Sequence, residues 1–166
     1  MIDQFLKIIE NKKVLSKEEC EKIRASFEKN PSRLTESIVE TKLVSENEVL
    51  EVLDRIYALP YVANLSMENV INDWTALIPR KFLKKFNIVP LIQGNDNRIN
   101  GKNRSIIAIN EPSNLCCVDD VAAVLDLDFY SMVLAPKNQI LSAINILYDQ
   151  SGESAQQLVD DMEDSE

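Results

Sequence analysis

Histidine is absent from this 166-residue chain, and glycine occurs only three times. Without imidazole the chain lacks the most frequent general base and zinc ligand, and the catalytic triads that use imidazole are excluded. The phosphate-binding loop of ATPases follows the pattern Gly-x-x-x-x-Gly-Lys-Ser/Thr, which does not occur here. We therefore expect no catalytic residues, no metal site and no ATP hydrolysis by this chain alone.

Long apolar runs and a positive charge balance are missing as well. No stretch approaches the roughly 20 apolar residues that span a bilayer, and the start of the chain, Met1 to Gln4, is unlike a signal peptide. The formal net charge of -9 disfavours binding to nucleic acid or anionic lipid. Three cysteines form no even set, so reduced thiols are expected. These features predict a cytoplasmic protein that binds no nucleic acid and does not insert into the membrane.

One short pattern is present twice near the N-terminus. The segment 14–20 is matched 29 residues later by the segment 43–49. Each copy has a serine with a glutamate three residues on, Ser16 with Glu19 and Ser45 with Glu48, followed by apolar residues at helical spacing. This arrangement is a capping box at the start of an amphipathic helix. The repeat therefore predicts two similar helical hairpins within residues 1–58.

The sequence pattern changes at Pro60, where an extended connector over 59–66 is expected because proline fixes the backbone. Helices and strands then alternate, which predicts a small α/β subdomain over 67–149. The fold class is thus α+β, with a three-stranded or slightly larger sheet. The predicted elements are helices over 67–86, 118–127 and 136–147, and strands over 88–92, 105–109 and 129–134, the first two strands forming a hairpin. Residues 150–166 are predicted to be an acidic disordered tail or linker.

Several landmarks in order along the chain resemble a known family. Residues 33–44, Leu59-Pro60-Tyr61-Val62, Leu77-Ile78-Pro79 and Val133-Leu134-Ala135-Pro136 are similar to the N-terminal domain of general secretory pathway protein E and of type IV pilus assembly ATPases, an MshEN-like domain. The resemblance implies a regulatory, protein-interaction domain that couples to the cytoplasmic domain of an inner-membrane assembly protein. It also implies an ATPase module in cis or in trans, and a position peripheral to the inner membrane through the partner.

One branch of this family binds cyclic di-GMP through two tandem motifs that begin Arg-Leu-Gly, which implies an alternative function as a second-messenger receptor. Arg33 and Leu34 match the start of one motif, whereas Thr35 and Lys42 replace its glycines and the first copy lacks the arginine. Bulk at glycine positions hinders the approach of a ligand. The ligand-binding residues implied by this resemblance are Arg33, Leu34, Ile38, Val39, Leu43 and Val44.

A second set of candidates concerns protein partners. Arg80, Lys81, Lys84 and Lys85 form a basic cluster in an acidic chain, and with Arg33 they are the predicted partner-binding residues. The alternative interpretation is an exposed first-turn arginine and a solvated helix face. Residues 32–42 are the face of the helical hairpins expected to contact the partner. The sequence leaves open which secretion or pilus system is involved, the oligomeric state, and whether the chain is a fragment of a longer ATPase.

Overall fold

The computed structural model describes residues 1–94 and 105–150, and the predictions made for 95–104 and 151–166 lie outside these residues. Helices alone occupy the first third and strands alternate with helices afterwards, so the α+β fold class is confirmed. The helices are α1 (Ile2–Lys12), α2 (Lys17–Lys29), α3 (Leu34–Glu40), α4 (Glu46–Tyr57), α5 (Arg80–Phe86), α6 (Leu115–Val124) and α7 (Lys137–Gln150). The strands are β1 (Ile88–Ile92), β2 (Ser105–Ile109) and β3 (Ser131–Leu134).

The two predicted capping boxes open α2 and α4. Ser16 Oγ accepts the Glu19 N–H at 3.2 Å, and the Glu19 carboxylate accepts the Ser16 N–H at 2.8 Å. Ser45 and Glu48 repeat both bonds, at 3.3 and 2.8 Å. Each box satisfies two backbone N–H groups that have no partner within the helix. The sequence repeat is therefore also a structural repeat.

The four N-terminal helices pack into one subdomain. Helix α1 contacts α2 and α4, and α3 contacts the same two helices. Fully buried apolar side chains from each of the four helices form its interior, among them Phe5, Ile9, Ile23, Ile38, Val49 and Leu53. The two hairpins are not identical, because α3 has 7 residues and its counterpart α1 has 11.

The sheet has the order β1-β2-β3. The predicted hairpin of β1 and β2 is antiparallel, with Pro90 opposite Ile107 on the edge strand, where a residue without an N–H is tolerated. Strand β3 pairs parallel to β2. Beside β3, the connector bonds Leu134 through the Pro60 carbonyl and the Val62 N–H, both at 2.8 Å. The connector therefore extends the sheet by one short bridge.

The long helix predicted over 67–86 is wrong in its first half. Asn69 has a left-handed backbone with φ 57°, and the Ile71 N–H donates to the Ile92 carbonyl at 2.9 Å, so this segment lies along the edge of β1. A 3₁₀ helix over Asp73–Ala76 follows, and α5 begins directly after Pro79. The apolar spacing of this region reflects burial in the core, since Trp74 and Ile78 are buried and the Trp74 ring meets the Tyr148 ring of α7 edge to face. Only the part after Pro79 is α-helical.

Candidate interaction site

The turns of the two hairpins lie side by side, and we call residues 11–15 and 41–45 the twin-turn surface. Lys13 Nζ donates to the Leu43 carbonyl at 2.7 Å and lies 3.8 Å from Glu48 Oε2. Lys12 forms an ion pair with Glu51 of α4. The sequence repeat therefore places both turns on one face, with the lysines of the first turn engaged by groups of the second hairpin.

The large exposed apolar side chain of this surface belongs to the first turn. Val14 is 98% exposed, whereas its counterpart Leu43 is partly buried against the core. The two turns also differ in backbone, because Lys13 is extended with φ -146° and Lys42 is left-handed with φ 60°. Lys42 thus has a backbone conformation that glycine adopts more readily, and its side chain, which glycine would lack, is exposed. This surface combines one exposed apolar side chain with several charged ones.

The structure does not gather the six predicted ligand-binding residues on a surface. Leu34, Ile38 and Val44 are buried in the core of the helical subdomain, so they are not available to a ligand in this arrangement. Val39 and Leu43 are partly buried, and only Arg33 is well exposed, with its guanidinium 3.2 Å from Glu36. The ligand-binding role of these residues stays a prediction, and their burial shows that the apolar side chains of α3 and of the following turn pack in the core.

The predicted basic cluster is also divided. Arg80 is 4% exposed, and its Nη1 lies 3.3 Å from Asp149 Oδ1. Its Nη2 donates to Asn145, and the guanidinium carbon lies 6.0 Å from the ring centre of Tyr148. Arg80 therefore joins α5 to α7 and does not belong to a surface cluster, which corrects its expected exposure. Lys81 and Lys85 are exposed and Lys84 is partly buried.

A buried polar contact between the two predicted subdomains was missed by the sequence interpretation. Glu111, which follows β2, accepts the Thr35 N–H at 2.9 Å, and Thr35 Oγ1 donates to the Asn110 carbonyl at 3.0 Å. Ser113 Oγ lies 2.9 Å from both Glu111 Oε1 and the Ser32 carbonyl. The available signal was the polar pair Asn110-Glu111 directly after the apolar strand β2.

Burial affects the chemistry of this contact. Removal of Glu111 from water raises the pKa of its carboxyl group, and the hydrogen bonds from Thr35 and Ser113 only partly oppose that change. Thr35, at a position where the resembled motif has glycine, is thus used to join the subdomains. Its side chain is buried and does not face a ligand.

The described residues provide no obvious reaction centre. Within 1–94 and 105–150, no cluster of three or more His, Cys, Asp or Glu side chains is arranged to hold a metal ion. Burial raises the pKa of the Cys117 thiol to about 11 and that of Cys20 above its usual value, which disfavours the nucleophilic thiolate. In the same ranges, no helix has both the length and the apolar composition to cross a bilayer.

Comparison with known proteins adds a family context. Residues 57–154 match the model of the MshEN domain. Over 151 residues, or 91% of the chain, the sequence is 26% identical to the type IV pilus assembly ATPase PilB of Myxococcus xanthus. The chain spans about a quarter of the length of this curated relative, since 25% of PilB is covered.

Comparison with solved structures concerns the fold alone. The structure of MshE with cdg superposes with a TM-score of 0.61 at 20% identity, covering 89% of this chain and 99% of that one. The N-terminal domain of XpsE gives a TM-score of 0.47 at 18% identity, with coverage of 76% and 94%. The MshE match extends over both the helical and the sheet-containing parts of the chain.

Proposed function

Because the chain belongs to the MshEN domain family, we propose that it is a non-catalytic interaction domain of the type found in type II secretion and type IV pilus ATPases. Its helical subdomain binds the cytoplasmic domain of an inner-membrane assembly protein, and an ATPase module acts with it in cis or in trans. The domain is cytoplasmic and reaches the inner membrane through this partner. The family recognition made from the sequence is confirmed by the MshEN match and by the PilB relative.

The observation that carries this proposal is the exposed composition of the twin-turn surface and of α3. Leu34 and Ile38 are taken up by the core, so α3 presents Arg33, Glu36 and Glu40 to the outside. The fully exposed Val14 lies in the twin-turn surface with the charged residues Lys12, Lys13 and Lys42, and the Lys13 contact with Leu43 joins it to the turn that follows α3. A small apolar centre with a charged rim is typical of a non-obligate protein interface.

The proposal is tested by titrating the full chain with the purified cytoplasmic domain of the inner-membrane assembly protein from the same system. We expect Val14→Asp and Arg33→Glu each to weaken binding at least tenfold, because the first places charge at the apolar centre and the second reverses an exposed charge at the start of α3. Isothermal titration calorimetry measures the affinity, and circular dichroism checks that each variant is folded.

Two matched controls make the result specific. Leu115→Asp introduces the same charge at another exposed apolar residue, on α6, and should leave binding unchanged. Lys81→Glu reverses a charge on α5, the other predicted partner surface. Binding that is lost in Lys81→Glu and kept in Val14→Asp would contradict the proposed surface. No binding by the wild-type chain would contradict the proposed partner.

A second candidate, a cyclic di-GMP receptor, is favoured by two observations. MshE, whose structure was solved with cdg, here taken as cyclic di-GMP, shares the fold over 89% of this chain. Lys42 also keeps the left-handed backbone at a glycine position of the motif. Burial of Leu34, Ile38 and Val44 weighs against this candidate, because these side chains would have to leave the core to contact a base.

Calorimetric titration with cyclic di-GMP distinguishes the two candidates. Micromolar binding that is abolished by Arg33→Ala and kept in Lys81→Ala would establish the receptor function. Absence of heat at millimolar nucleotide would exclude it. Because the proposed partner contact does not require the nucleotide, it is judged separately by the titration with the assembly protein.

A further inference from the structure

A groove in the sheet-containing part of the chain has an apolar floor and an acidic edge. It encloses about 390 Å³ between the 3₁₀ helix, the ends of β1 and β2, and the loop from α6 to β3. Trp74 and Ile92 lie in its wall, and Leu77, which is 61% exposed, stands at its edge. Large exposed apolar residues that border a cavity mark a site of interaction.

A second cavity continues the groove on the other side of Leu77. It encloses about 150 Å³ and is lined by apolar side chains that include Phe82 and Val124. Val124 is 52% exposed. Leu77 lines both cavities, so the two form one apolar surface with two depressions. Two depressions in series suit the spaced apolar side chains of an amphipathic helix.

Among the described residues that line this surface, the charged side chains are negative. Asp73, Asp126 and Asp128 line the larger cavity and Asp120 lines the smaller one, and all four are exposed. Neither set of lining residues contains lysine or arginine. Carboxylates within a Debye length of about 8–10 Å reinforce one another and attract a cationic partner. Three of the four aspartates line the larger cavity, whereas α5, which carries lysines, contributes Phe82 to the smaller one.

We propose that this groove binds a basic amphipathic segment of a partner protein, with apolar side chains in the two cavities and Lys or Arg residues against the aspartates. Charge selects this occupant over two others. Residues 151–166 of the chain contain six acidic and no basic residues, so they would be repelled by the edge. A second copy carries a formal charge of -9, which disfavours self-association through the same face.

The test uses the full chain and a 14-residue peptide of Leu, Lys and Ala, without tryptophan, whose leucines recur at i, i+3, i+4 and i+7. Trp74 is the single tryptophan of the chain and lies in the groove wall, so its emission reports occupancy directly. We expect a saturable change in Trp74 emission. Leu77→Ser, and separately Asp126→Asn combined with Asp128→Asn, should each weaken binding at least tenfold.

Matched controls separate specific binding from charge attraction. A peptide of the same composition in scrambled order should bind at least tenfold more weakly, because it lacks an apolar face. Leu115→Ser and Asp119→Asn change exposed residues of α6 that line neither cavity, and they should leave the titration unchanged. Equal affinity for the scrambled peptide, or equal losses in the control variants, would overturn the proposal.

The inference stands apart from the proposed partner of the helical subdomain. Leu77→Ser should retain binding to the cytoplasmic domain of the inner-membrane protein, and Val14→Asp should retain binding to the peptide. If Leu77→Ser abolishes binding of that domain while Val14→Asp does not, the surface proposed for the helical subdomain fails and the groove proposal is strengthened. If the peptide produces no change in Trp74 emission, the groove proposal fails by itself.

Discussion

Glu111 is a carboxyl group that folding removes from water and holds between one hydrogen-bonded group of the helical subdomain and one of its own loop. Its exposure is 6%, and its partners are the Thr35 N–H and the Ser113 hydroxyl. Burial raises the pKa of Glu111, which means that the folded state binds a proton more readily than the unfolded state. Ionised Glu111 therefore lowers stability as pH rises above its ordinary pKa of 4.5.

The loss of stability caused by burying the ionised carboxylate predicts the effect of Glu111→Gln. The amide oxygen can accept the Thr35 N–H, and the amide nitrogen can donate to Ser113 Oγ, so the contact is kept without the buried charge. We expect the variant to equal or exceed wild type in stability at pH 8, by up to about 1 kcal/mol, and to lose that advantage at pH 4. Urea unfolding at both pH values measures it, with Glu21→Gln, an exposed carboxylate of α2, as control. An advantage that does not change with pH would contradict the assignment.

Lys42 gives a second prediction at the scale of one residue. A left-handed backbone costs a residue with a β-carbon roughly 1–2 kcal/mol, and Lys42 has φ 60°. We expect Lys42→Gly to raise the free energy of unfolding by up to about 1 kcal/mol, since glycine removes this strain and offsets its own entropy cost. The control Lys22→Gly, on the exposed side of α2, should instead lower it by about 1 kcal/mol. Equal losses in both variants would show that Lys42 is not strained.

At the scale of the element, the start of each repeated helix depends on one serine. We expect Ser16→Ala and Ser45→Ala each to lower the free energy of unfolding by about 1 kcal/mol, because each leaves a first-turn N–H without its side-chain acceptor. The control Ser142→Ala lies on the exposed side of α7, where alanine is the better helix former, and should be neutral or slightly stabilising. Thermal or urea unfolding monitored by circular dichroism measures all three. A neutral Ser45→Ala would contradict its capping role.

Elements set by local signals were predictable, whereas those set by distant pairing were not. The capping boxes and the β1–β2 hairpin are encoded within a few residues, and both are confirmed. The segment before Pro79 has helical spacing, but its backbone bonds the edge of β1. Among the candidate site residues, Ile38 is buried whereas Arg33 is exposed, although both belong to the same sequence motif. An apolar pattern shows that a face is covered, and cannot show whether a ligand or the core covers it.

At the scale of the whole molecule, the helical and sheet-containing parts are joined by buried contacts. Thr35 bonds both Asn110 and Glu111, and the Glu46 carboxylate accepts the Lys137 N–H at 3.2 Å at the start of α7. The connector is bonded to both parts, since the Tyr61 N–H donates to Asp54 of α4 while its neighbours Pro60 and Val62 bond Leu134 of β3. The predicted boundaries at residues 58 and 67 remain a prediction about organisation. These contacts nevertheless couple the two parts energetically.

Coupling of this kind predicts one cooperative unfolding transition for the whole chain. Trp74 lies in the sheet-containing part, so its fluorescence follows that part alone, whereas circular dichroism at 222 nm is dominated by helices of both parts. We expect the two signals to have the same midpoint in urea, as in a two-state transition. Thr35→Val removes the hydroxyl bond to Asn110 with little change of volume, and should shift both midpoints together. Midpoints that separate in the wild-type chain would show that the two parts unfold independently and that the buried Glu111 contact does not join them.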